Sequence, residues 1–112
     1  VDIEGARAAC ELAICHGGHG TTAAMLLAGK PLLLLPMHSE QGMTAHRLET
    51  LGVALSALPE AAAQLQRLLK RALAEPRPGE TARAFAARHH AYDQAAAIAH
   101  AADRCESMLE AH

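Results

Sequence analysis

The chain has 112 residues, which is enough for one small domain and too few for two nucleotide-binding domains with a linker. Its formal net charge is −2, so it lacks the basic field with which nucleic-acid-binding proteins attract phosphate backbones. Its longest apolar run, residues 31–37, is too short to span a bilayer, and the first residues show no signal-peptide pattern. We therefore expect a cytoplasmic protein with no membrane span and no nucleic-acid partner.

The first half of the chain alternates short apolar runs with helical patterns. Residues 3–12 are rich in alanine and compatible with a helix, and residues 12–15 predict a short buried strand. After a glycine cluster, residues 21–28 consist of good helix formers and Gly29 is placed to end that helix. This order predicts a strand, a glycine-rich loop and a helix.

Four consecutive leucines at 32–35 lie between two prolines. A run without alternation is typical of a strand buried on both faces of a parallel sheet, although periodicity alone leaves a buried helical turn open. Residues 39–51 then have helical spacing with Gly52 as the stop, and 53–55 predict a third strand.

The second half of the chain is predicted to be helical. Pro59 suits a first helical turn, and leucines recur at helical spacing through residue 74. Residues 76–79, with two prolines and a glycine, are interpreted as a breaker. An apolar stripe at steps of three or four then predicts one long helix or two abutting ones; its members are Phe85, His89, Tyr92, Ala95, Ile98, Ala102, Cys105 and Leu109.

This order of elements predicts an α/β fold: a partial Rossmann-like, three-layer domain with a short parallel sheet and flanking helices. It is about half the size of a complete nucleotide-binding domain of this class. We interpret residues 1–112 as a fragment of such a domain, with C-terminal helices over 60–110.

The first chemically informative segment is His16-Gly17-Gly18-His19-Gly20-Thr21-Thr22, where a strand gives way to a helix. Glycines allow an anion to approach the backbone, and the helix start offers free N–H groups and the positive end of its dipole. A hydroxyl from Thr21 or Thr22 could contribute to the binding of a diphosphate. The alternative is a tight turn that needs only positive φ angles.

The second segment is Pro36-Met37-His38-Ser39-Glu40-Gln41. In an open α/β sheet the carboxyl ends of the strands form the ligand crevice, so both segments should open on the same side. A carboxylate beside a carboxamide suits the vicinal hydroxyls of a hexose. The alternative is that Glu40 only complements the helix dipole and Gln41 is solvated.

Residues 13–52 carry both segments together with Gly29-Lys30-Pro31 and Leu51-Gly52. This stretch resembles the donor-binding signature of the GT-B glycosyltransferases of the UDP-glycosyltransferase superfamily, among them bacterial macrolide and sterol glycosyltransferases. The resemblance implies that the chain belongs to a C-terminal domain that binds a nucleotide sugar, and that a full-length enzyme transfers a hexose to an acceptor hydroxyl.

The resemblance also implies roles for individual residues. His16 would contact a donor phosphate, and the segment Gly18, Gly20, Thr21 and Thr22 would bind the diphosphate. Glu40 and Gln41 would contact hydroxyls of the sugar, and His19 and His38 are further candidates. Ala24 stands where plant members carry a ribose-binding glutamate, so ribose recognition must differ or be weaker.

The catalytic base of the family comes from an N-terminal acceptor domain, so we expect no catalytic residue in this chain and no sugar transfer by it alone. The open sheet edge and the apolar surface where the upstream half-domain should dock favour self-association. His16, His19 and His38 lack a carboxylate or cysteine at ligand spacing, so we expect no metal, and no cofactor besides the nucleotide-sugar substrate. A non-catalytic module that binds a nucleotide sugar or another phosphorylated ligand remains the alternative.

Overall fold

The computed structural model describes residues 3–58 and 60–111 and shows an α/β domain with a parallel sheet in the order β1-β2-β3. The strands are β1 (Ala13–Cys15), β2 (Leu32–Leu34) and β3 (Ala54–Ser56). The helices are α1 (Ile3–Ala9), α2 (His19–Leu27), α3 (Ser39–Leu51), α4 (Ala62–Ala74), α5 (Arg77–Arg88) and α6 (Gln94–Glu110). The predicted parallel pairing is confirmed, and each strand end lies within one residue of its prediction.

The central strand is the most deeply buried part of the sheet, as its unbroken leucine run predicted. Leu32, Leu33 and Leu34 are 1%, 0% and 0% exposed. Successive side chains of a strand point to opposite faces, and Leu32 and Leu34 belong to the main core cluster while Leu33 does not. Because Leu33 is nevertheless fully buried, both faces of the sheet are covered.

Helices from both halves of the chain form the two outer layers. The main cluster joins the sheet to α2, α3 and α5; its members are Ala13, Met25, Leu26, Leu32, Leu34, Ala45, Val53, Ala54 and Ala82. Helix α4 contacts β2 and β3, and none of its described side chains belongs to that cluster, so it covers the other face. The predicted three-layer arrangement is therefore confirmed.

Glycines end the two helices that follow β1 and β2. Gly29 and Gly52 have φ angles of 76° and 90°, a left-handed conformation that only glycine adopts without strain. The Gly52 amide donates to the carbonyls of Leu48 and Glu49. Both predicted stops are confirmed, and both lie at the sheet edge opposite the carboxyl ends of the strands.

The C-terminal half differs from its prediction in one respect. The break between α4 and α5 is shorter than the predicted segment 76–79, because α5 already begins at Arg77. Pro78 lies in the first turn, where the N–H that proline lacks would have no intrahelical acceptor. The predicted role of Pro59 lies outside the described residues.

Helix α6 carries most of the predicted apolar stripe, but its apolar side chains do not pack into a core. The alternative of two helices is correct, since Asp93 starts α6 by accepting hydrogen bonds from the amides of Ala95 and Ala96. None of the residues of α6 is buried, and Ile98 and Leu109 are 62% and 76% exposed. No described helix has the length and apolar character needed to cross a bilayer.

Candidate functional site

Two loops meet at the carboxyl ends of β1 and β2. Residues 16–18 connect β1 to α2, and residues 35–38 connect β2 to α3. Because these strands are parallel neighbours, both loops open at the same edge, as predicted. The backbone of Gly17 has a φ angle of 101°, and a Cβ there would lie 3.4 Å from the carbonyl oxygen of Gln41. The two predicted segments are therefore in contact.

His16 is held across these loops by a hydrogen bond. Its Nδ1 lies 2.9 Å from the carbonyl oxygen of Leu35. A carbonyl can only accept, so Nδ1 carries the proton and donates it. The imidazole is exposed, and this bond leaves Nε2 as the ring nitrogen that a ligand can reach.

Helix α2 starts without a side-chain cap. Gly18 is its extended N-cap residue, and its carbonyl accepts the first helical bond from the amide of Thr22. The amides of His19, Gly20 and Thr21 precede that bond, so helix geometry provides them with no intrahelical acceptor. These three donors and the positive end of the helix dipole could bind an anion.

The two candidate threonines have different surroundings. Thr21 is exposed and lines a cavity of about 460 Å³ together with His16, Gly18 and Gln41. Thr22 is 5% exposed, and its hydroxyl makes no hydrogen bond of standard geometry within the described residues, although it lies near the Cys15 thiol. The hydroxyl that borders the cavity between the loops is therefore that of Thr21.

Cys15 forms part of the wall behind this cavity. Burial raises the pKa of the Cys15 thiol, and the nearby polar groups of the Gly17 backbone and the Thr22 side chain oppose that rise. The thiol is accordingly uncharged near neutral pH. It brings no negative charge to a cavity whose other groups favour anions.

The second segment is ordered by Gln41. Its side-chain oxygen accepts a hydrogen bond of 2.8 Å from the amide of Met37, just before α3. This resembles the backward bond of a capping box, with His38 as the exposed N-cap residue. The bond uses the oxygen of the carboxamide, and Gln41 also lines the cavity.

Glu40 and His19 lie at the rim of the site. The His19 Nε2 is 3.8 Å from a carboxylate oxygen of Glu40 and 3.5 Å from the hydroxyl of Thr44. Both side chains are about three-quarters exposed, at 74% and 73%, so the contact contributes little to stability. It does link the start of α2 to α3.

Not all predicted residues face the same cavity. His19 and Thr22 line a second, apolar cavity of about 400 Å³ between α2, α3 and α5 instead. The Phe85 and His89 rings on its wall lie 4.5 Å apart. Sequence reasoning missed this cavity, although the spacing of Phe85, His89 and Tyr92 was its available signal. No group of three or more acidic, histidine or cysteine side chains among the described residues is arranged to hold a metal.

The three-layer fold, with two contacting loops at the carboxyl ends of its first two strands, is that of a GT-B C-terminal domain. The family model for the glycosyltransferase family 28 C-terminal domain matches residues 2–101. The chain therefore belongs to this family.

Curated relatives match about half of the chain. An NDP-glycosyltransferase of Bacillus licheniformis is 46% identical over 50 residues, which are 45% of this chain and 13% of that protein. A sterol 3-beta-glucosyltransferase of Eremothecium gossypii is 37% identical over 60 residues, 54% of this chain and 5% of that protein. The chain thus spans only a small part of these relatives.

Solved structures agree in fold over most of the chain. The glycosyltransferase VinC in complex with DTDP has a TM-score of 0.74 and 26% identity, covering 81% of this chain and 24% of that protein. The spinosyn rhamnosyltransferase SpnG complexed with thymidine diphosphate has a TM-score of 0.72 and 26% identity, covering 84% and 26%.

Proposed function

We propose that this chain binds the diphosphate and sugar of a nucleotide-sugar donor, as the donor-binding part of an enzyme that transfers a hexose to an acceptor hydroxyl. The observation that carries this proposal is the contact between the two loops. This contact places the oriented His16 ring, the uncapped start of α2 and the Gln41 carboxamide around one cavity. The nucleoside diphosphates in VinC and SpnG support the same ligand class.

The proposed division of labour follows the two loops. His16, the amides of His19 to Thr21 and the Thr21 hydroxyl bind the diphosphate. Gln41, whose NH₂ group is left over by the Met37 bond, and the exposed Glu40 carboxylate bind sugar hydroxyls. One loop thus recognises the leaving group and the other the group that is transferred.

In the proposed reaction the acceptor oxygen bonds to the anomeric carbon while the bond from that carbon to the diphosphate oxygen breaks. The acceptor proton passes to a base that lies outside this chain. Negative charge develops on the departing diphosphate, and His16 with the α2 amides stabilises it where it forms. In this proposal the acceptor pocket and the base belong to another domain, so the 112-residue chain alone should not transfer sugar.

The test compares two substitutions in the full-length protein by calorimetry with a nucleoside diphosphate and with the corresponding nucleotide sugar. His16→Ala should weaken both ligands by up to about a hundredfold, because one hydrogen bond to the phosphate is lost. Glu40→Ala should weaken the nucleotide sugar and leave the free diphosphate nearly unchanged.

His100→Ala, which alters an exposed histidine of α6, is the matched control and should affect neither ligand. Equal losses of nucleoside diphosphate in His16→Ala and Glu40→Ala would contradict the division of labour. Binding without any transfer in the full-length protein would favour the non-catalytic module instead.

A further inference from the structure

Within the described part of the chain, no permanently cationic side chain lines the cavity between the two loops. Between Arg7 and Arg47 the sequence contains a single lysine or arginine, Lys30. Lys30 lies just before β2, at the amino end of that strand, whereas the cavity lies at the carboxyl ends. The described residues that line the cavity include no lysine or arginine. A diphosphate there would meet peptide dipoles and histidines.

The hydrogen bond to Leu35 determines what His16 can offer an anion. Since Nδ1 donates to the carbonyl, a neutral His16 presents only the lone pair of Nε2 to the cavity. A lone pair and a phosphate oxygen are both acceptors and repel each other. A protonated ring presents an N–H and a positive charge in the same place, which gives a short, charge-assisted bond.

We infer that donor binding takes up a proton at His16, so that affinity for the nucleotide sugar falls as pH rises through the neutral range. This inference rests on the proposed function. A bound phosphate favours the protonated ring, so binding is tightest where the free protein already has His16 protonated and weakens at higher pH, where binding must take up that proton. Histidine is the side chain that changes charge in this range.

Other titratable groups face the same region. The Cys15 thiol behind the cavity remains protonated across the neutral range, because burial raises its pKa. His19 from α2 faces the Glu40 carboxylate of α3 at 3.8 Å, and His38 is exposed at the N-cap of α3. Of these histidines, only His16 is among the described residues lining the cavity with Thr21.

The experiment measures the dissociation constants of dTDP-glucose and UDP-glucose for the full-length protein between about pH 6 and pH 8. A nucleotide sugar is the suitable probe because its diphosphate is esterified at both ends and does not titrate there, unlike a free diphosphate. Uptake of one proton weakens binding by up to tenfold per pH unit, so the loss should reach about tenfold or more across this range. Calorimetry in two buffers of different ionisation enthalpy should show net proton uptake near pH 7.

His16→Gln is the decisive variant, since its carboxamide can donate a hydrogen bond but cannot titrate in this range. It should bind with nearly pH-independent affinity, about equal to or weaker than that of the wild type at pH 8. His46→Gln, on the exposed surface of α3, is the matched control and should retain the wild-type pH dependence.

Binding that does not change with pH, or a dependence abolished by His19→Gln and retained in His16→Gln, would overturn the inference while leaving the proposed function in place. No binding of either nucleotide sugar at any pH would overturn both. Far-ultraviolet circular dichroism confirms that each variant is folded, which the exposure of His16 leads us to expect.

Discussion

The sheet region and helix α6 show how differently two parts of one chain can use apolar residues. Between residues 13 and 57, leucines and alanines of β1, β2, α2 and α3 pack into a shared core, and β2 is almost completely buried. Helix α6 has an apolar stripe with the same helical spacing, but all of its residues are exposed. A periodic pattern therefore predicts a helix in both places and a core in only one.

The difference in burial depends on whether another element of the chain packs against the apolar side chains. One face of β2 packs in a core with α2 and α3, which adjoin β2 in sequence. The other face is covered by α4, which follows later in the same chain. The stripe of α6 makes no comparable contact with the described elements. Periodicity reports the shape of an element, whereas burial depends on what is opposite it.

Truncation of the buried strand should give the largest contrast between the two regions. Leu33→Ala in β2 should lower the free energy of unfolding by about 2–5 kcal/mol, because it leaves a cavity in a fully buried site. Ile98→Ala in α6 should change it by about 0.5 kcal/mol or less. Urea denaturation of the 112-residue chain measures both. Similar losses for the two variants would mean that α6 packs against a surface not seen here.

Glycine substitutions within α3 and just after it should give an intermediate effect. They distinguish a glycine that ends a helix from a glycine inside one. Gly52→Ala should destabilise by about 1–2 kcal/mol, because alanine is strained at a φ angle of 90°. Gly42→Ala lies inside α3, where a Cβ meets nothing within 4 Å, and should stabilise by about 0.5 kcal/mol. Thermal unfolding of both variants tests the sign as well as the size. A stabilising Gly52→Ala would rule out the left-handed stop.

The cysteines should give the smallest effect. Burial raises the pKa of Cys15, so folding favours its protonated form; that contribution is present below the unfolded-state pKa and is lost as pH rises through the folded one. Unfolding free energy should decline above about pH 9, and Cys15→Ala should reduce the decline. Cys105→Ala, on exposed α6, should leave it unchanged. Identical pH profiles for the two variants would show that Cys15 does not contribute.

The parts of the fold that sequence reasoning predicted correctly depend on local signals. The leucine run between Pro31 and Pro36 identified β2, and Gly29 and Gly52 identified two helix ends. The contact between the two loops also followed from topology, since adjacent parallel strands end at the same edge.

What the sequence did not predict depends on side-chain direction and on contacts distant in sequence. Spacing alone could not show that Thr21 borders the cavity while Thr22 faces the interior, because the two are neighbours with the same chemistry. The bond from His16 to Leu35 joins residues 19 positions apart and has no local signal. Pro78 was interpreted as part of a breaker because proline is equally suited to a turn and to the first turn of a helix.

The uncapped start of α2 has a consequence for how such a site can diverge. Its donors are peptide groups, so they neither titrate nor change when side chains are exchanged, provided that the strand–loop–helix geometry is kept. The positive electrostatic potential of these peptide groups is therefore kept wherever the backbone geometry is kept. Side chains at neighbouring positions can then vary during evolution. Such substitutions can change which ligand is preferred while the anion-binding amides remain in place.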